Sequence, residues 1–172
     1  HDSNEKISKA ALDQTTIKLN PVNTISIAMY GEGKTRGRVS ILRKEMTTNQ
    51  ACCNVVINAE EADYEYVYYF LITQYKELRN LSSGVRKNLN SNDIKNFEVR
   101  LPNSRDYQGV VAKVFSDCCV VTPAPVSLCT DSKSSASPVV PVYTAPSSEA
   151  LSLPLSTSSL MLGSIANANK LS

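Results

Sequence analysis

A chain of 172 residues with 18 Lys/Arg against 16 Asp/Glu is long enough for one domain with a real core and only mildly basic. That balance permits a nucleic-acid partner without requiring one, because clustering of charge matters more than its total. No apolar run reaches the length that crosses a bilayer, no basic-then-apolar leader opens the chain, and the expected compartment is the cytoplasm.

Cys52, Cys53, Cys118, Cys119 and Cys129 are odd in number and include two adjacent pairs, a poor disulfide framework. They read as reduced thiols packed like small apolar side chains. His1, the single histidine, is terminal, so neither a Cys/His zinc cluster nor a catalytic base is expected, and no cofactor is implied.

Composition changes near Ser116. Before it 29 residues are charged, whereas the following 56 carry only Asp117, Asp131, Lys133, Glu149 and Lys170, with six of the eight prolines and 13 serines. Low charge with abundant Ser and Pro reads as an irregular tail, although 151–155 and 160–165 are apolar patches.

In chain order, residues 5–14 predict a short helix. Residues 24–30 (TISIAMY), 39–42 and 51–57 (ACCNVVI) are β-branched and apolar, and predict three strands paired into a sheet. Between the first two lies a basic glycine loop, 31–38 (GEGKTRGR). Residues 63–80 (DYEYVYYFLITQYKELRN) predict the main helix, with Tyr64, Val67, Tyr68, Leu71, Tyr75 and Leu78 as one apolar stripe and Asp63 as cap. A helical turn at 92–96, a strand at 97–101 and a helix from Arg105 follow.

Residues 28–35 (AMYGEGKT) loosely match a phosphate-binding loop with alanine for the first glycine. Such a loop needs a helix after it, whose N-terminal amides hold phosphate. The residues that follow, RGRVSIL, predict strand instead, so nucleotide binding is the lesser alternative. A basic hairpin loop fits better. Lys34, Thr35, Arg36 and Arg38 could meet phosphates and base edges. A second loop, 82–90 (SSGVRKNLN), repeats the recipe with Arg86, Lys87 and Asn88.

The series ISIAMYGEGKTRGRVSIL, TTNQACCNVVI and YEYVYYFLITQYKELRNLSSGVRKNLNSNDIKNFEVRLP resembles the target recognition domain of type I restriction-modification specificity subunits, over about residues 7–101. The resemblance implies an α/β (α+β) fold: a small mixed β-sheet packed against one main amphipathic helix, with an irregular tail. It implies a non-catalytic module that binds double-stranded DNA and positions methyltransferase (M) and restriction (R) subunits. Lys34, Thr35, Arg36 and Arg38 would face DNA, with Arg86, Lys87 and Asn88 in the second loop. Asn49 and Gln50 match the Thr-Asn-Gln signature, either as base contacts or as amides bracing the loop. The recognition region of a fused restriction-methylation enzyme is the alternative within the same class. The implied organisation is a partial recognition domain over 1–103, the start of a spacer helix at 104–116, and a tail at 117–172 foreign to the family. The family domain ordinarily has a further N-terminal half and a long charged helix after Leu101-Pro102.

Overall fold

Alternation of side chains along three short strands places the core. A computed structural model describes residues 6–31, 34–81, 88–118 and 156–166. After helix α1 (Lys9–Gln14), capped by the Ser8 side chain, come strands β1 (Ile25–Ala28), β2 (Val39–Ile41) and β3 (Cys52–Val55). They form an antiparallel sheet in the order β2-β1-β3. Ile25 pairs with Ile41 and Val55, and Ile27 with Val39 and Cys53, so these side chains share one face. Ile25, Ile27, Cys53 and Val55 are fully buried there. Ser26, Ser40 and Asn54 make a polar row on the opposite face, where the Asn54 amide donates to the Thr48 hydroxyl.

The predicted main helix is two helices, α2 (Tyr64–Thr73) and α3 (Tyr75–Asn80). Asp63 caps the first by accepting from Tyr66 N–H at 2.9 Å. The break falls at Gln74, whose φ of −90° and ψ of 18° leave the helical region. Its cause is local. The Phe70 carbonyl accepts from both the Thr73 hydroxyl, at 2.7 Å, and the Gln74 N–H, a back-bonding that bends helices. Val67, Leu71 and Leu78 are buried on both sides of the break, so the apolar stripe runs through it unchanged.

Helix α4 (Ser91–Lys95) begins with a reciprocal capping box between Asn90 and Asp93. Strand β4 (Glu98–Pro102) leads into α5 (Arg105–Cys118). Gln108, 2% exposed, joins this end of the fold to α2. Its amide donates to the Pro102 carbonyl at 2.8 Å, and its oxygen accepts from Asp63 N–H at 2.9 Å.

Part of the stretch expected to be irregular is ordered. Strand β5 (Thr157–Met161) pairs antiparallel with β4, and helix α6 (Leu162–Ile165) follows it into the core. No proline lies beyond Pro154, and the apolar patch at 160–165 supplies Leu162 and Ile165, which are 0% and 1% exposed. Backbone bonds tie α6 to segments flanking both sheets: Leu162 N–H donates to the Phe97 carbonyl, just before β4, and Asn58 N–H, shortly after β3, to the Ile165 carbonyl. The fold is α+β, with antiparallel sheet pairing throughout the described residues.

Truncating Leu162 or Ile165 to alanine should cost about 2–5 kcal/mol in denaturant unfolding. Met161→Ala, at a side chain 51% exposed, should change stability by less than about 0.5 kcal/mol. Equal, small effects at all three positions would remove β5 and α6 from the core. Burial raises the pKa of the Cys53 thiol, partly offset by the Ser91 hydroxyl and the Lys95 charge. Burial and the neighbouring Tyr107 raise that of Tyr66, whose hydroxyl donates to the Arg100 carbonyl. Stability from raised groups is complete below their unfolded values, about 8.5 for Cys and 10 for Tyr, and is lost as pH climbs through the folded ones. Thermal midpoints should therefore fall on the alkaline side, and Cys53→Val with Tyr66→Phe should shrink that fall; an unchanged alkaline profile in the double variant would contradict it.

Candidate nucleic-acid interface

β1 and β2 are joined by a turn that carries cations and is closed by backbone bonds. Gly37 N–H donates to the Ala28 carbonyl at 2.8 Å, Ala28 N–H to Arg38 at 2.9 Å, and Arg38 N–H to Thr35 at 3.1 Å. Gly31 and Gly37 have φ of 125° and 81°, where a side chain would be strained. A Cβ on Gly31 would also stand 2.8 Å from that of Thr35. Lys34, Thr35 and Arg38 are exposed and Arg36 is half-buried, its Nε buried with no partner among the described residues. After Thr35 the chain turns directly into β2. The nucleotide-binding alternative fails here, because no helix N-terminus stands where phosphates would need one.

Met29 gathers the other segments. Its N–H donates to the Ala51 carbonyl at 2.8 Å, and its carbonyl accepts from Leu89 N–H at 3.1 Å. Asn49 and Gln50, just before Ala51, are exposed, as is Asn88, just before Leu89. The Asn49 side chain accepts from Ala51 N–H at 3.1 Å and its carbonyl from Cys52 N–H at 3.2 Å, so this residue braces its own turn. Ser91 at the start of α4 reaches the Met29 sulfur at 3.9 Å. Lys34, Thr35, Arg36, Arg38, Asn49, Gln50 and Asn88 thus sit on segments held together at one end of the sheet. Arg86 and Lys87 lie outside the described residues.

Two residues of this region escape a reading of the sequence. The Tyr75 hydroxyl donates to the Lys34 carbonyl at 2.8 Å and accepts from Arg79 Nη1 at 2.9 Å. Tyr75 falls on the apolar stripe and so counts as core; its hydroxyl, which must find a partner when half-buried, was the available signal.

The geometry at Gly31 makes a stability measurement informative. Gly31→Ala should destabilise by about 1–3 kcal/mol through its backbone angle. Gly109→Ala, inside α5 with open space around the added carbon, should stabilise by about 0.5–1 kcal/mol. Equal shifts in the two unfolding curves would mean that Gly31 is not needed for the turn.

A family model described as the type I restriction modification DNA specificity domain matches residues 1–119. The matched region contains α1 through α5, β1 through β4 and every segment gathered at Met29. Its description names a specificity domain, so neither the nucleotide-binding nor the fused-enzyme alternative gains support. With more than half of its length matched, the chain belongs to the DNA specificity domain family of type I restriction-modification systems.

Proposed function

We propose that the DNA sequence-specificity role of this family is carried in this chain by the turn between β1 and β2, the Asn49–Gln50 segment and the loop that ends at Asn88. The convergence of all three on Met29 is the observation that carries the reading. Residues 34–38 hold three cations and no acid, which suits a polyanion. Exposed Lys34 and Arg38 serve the phosphates. Arg36, half-buried and therefore restricted in its rotamers, reads a base edge through its fork. Gln50 and Asn88 offer amides for further polar contacts, and Arg86 and Lys87 extend the second loop.

The chain itself performs no chemistry in this reading and needs no cofactor. Residues 1–103, together with the β5–α6 segment that packs on β4, form the recognition body, and the helix from 104 begins a spacer. Val110 and Val114, 59% and 54% exposed and one turn apart on α5, support a face of α5 that packs against a partner subunit. Methyltransferase and restriction subunits are the partners, and the cytoplasm is the compartment; no described helix is long and apolar enough to cross a membrane.

The test uses duplexes enriched by the chain from a pool with a randomised centre. Lys34→Ala should weaken binding equally on enriched and scrambled duplexes and flatten the log–log salt slope by about 0.9. Arg36→Ala should cost about 1–3 kcal/mol on the enriched duplex and relax one position of the selected sequence. Binding that is unchanged in both variants would overturn this assignment of the interface.

A further inference from the structure

The break at Gln74 separates α3 from the line of α2, and α3 is the element that touches the cationic turn. Two contacts meet there. The Lys34 carbonyl accepts from Tyr75 Oη at 2.8 Å and from Arg38 Nε at 2.9 Å, which occupies both of its lone pairs. Arg79 Nη1 donates to Tyr75 Oη at 2.9 Å, which orients the hydroxyl proton toward Lys34. Three residues after Lys34, a Cβ on Gly37 would lie 3.4 Å from the Arg79 backbone nitrogen, so the turn rests directly on the helix.

We infer that Tyr75 and Arg79 are positioning residues for DNA reading: the relay Arg79–Tyr75–Lys34 carbonyl fixes the shape of the cation-bearing turn before DNA arrives. This rests on the reading of that turn as the DNA contact. A turn held in its bound shape loses less conformational entropy on association, and the gain falls on the duplex that fits it. Diffuse phosphate attraction depends on charge and tolerates a loose turn. The relay therefore acts on specificity, while the salt slope stays with Lys34 and its neighbours.

Tyr75→Phe removes the hydroxyl alone and keeps the ring. The full chain and this variant are compared on duplexes enriched by the wild type from a randomised pool and on scrambled duplexes of the same composition. The ratio of the two affinities should fall about three- to tenfold, the effect of one net hydrogen bond. Scrambled binding and salt slope should stay near wild type, and the thermal midpoint should fall by no more than the few degrees that one hydrogen bond contributes. Arg79→Lys keeps a donor to the hydroxyl and should retain more of the ratio than Arg79→Met. The Tyr75→Phe/Arg79→Met double variant should lose little beyond the single Tyr75→Phe, since both act through one relay.

An unchanged ratio in Tyr75→Phe overturns the inference, as does a fall in the thermal midpoint with the ratio intact, which marks a structural role only. Additive losses in the double variant, with a flatter salt slope for Arg79→Met, would make Arg79 a phosphate contact and end the relay. Should Lys34→Ala and Arg36→Ala leave binding untouched, the DNA reading of the turn fails first. Should they weaken it while Tyr75→Phe does not alter the ratio, the turn stands and the relay falls.

Discussion

Backbone pairing at Met29 holds three otherwise separate stretches of chain in one place. This residue leaves β1 with its N–H bonded to Ala51 and its carbonyl to Leu89, while its side chain is 7% exposed beneath them. Main-chain bonds in such a setting are hard to lose, because a buried amide or carbonyl without a partner costs roughly 1–3 kcal/mol. Met29, Ala51 and Leu89 are therefore fixed relative to one another at the end of the sheet. Surface side chains on these loops can vary while the bonds beneath them persist, a sensible arrangement for a module whose task is to distinguish sequences.

The sheet and its turn were legible in the sequence because their signals are local. Ile25, Ile27, Val39 and Val55 are β-branched residues that favour strands, and Gly31 and Gly37 occupy backbone positions that other residues adopt at a cost. Asp63 announced the start of α2 in the same way. The interruption at Gln74 was not legible, since Val67, Leu71 and Leu78 keep helical spacing across it. The bend accompanies the Thr73 hydroxyl's added bond to the Phe70 carbonyl, an interaction without a periodic signature.

The residues of the proposed site could be named from the sequence, whereas their arrangement could not. Lys34, Arg36 and Arg38 are conspicuous by charge and spacing. Nothing in the residue types around Met29 announces that its main chain joins Ala51 and Leu89, because backbone bonds carry no side-chain signature. Tyr75 was hidden by its own stripe, since the ring behaves as core while the hydroxyl works elsewhere. The resemblance to type I specificity domains supplied the order of the pieces, and the antiparallel pairing supplies the reason they end together.

Order at 157–165 was obscured by averaging, because a stretch rich in serine and proline dilutes the few apolar residues that matter. Its pairing with β4 links distant parts of the chain: Ser159 and Glu98, joined by a side-chain hydrogen bond, are 61 positions apart. Closing so long a loop is entropically slow compared with forming the β1–β2 hairpin. During synthesis from the N-terminus, β4 emerges well before its partner strand and meanwhile presents an unpaired edge. The nascent recognition body must wait for its last strand, and in that interval another chain's strand could take the place of β5.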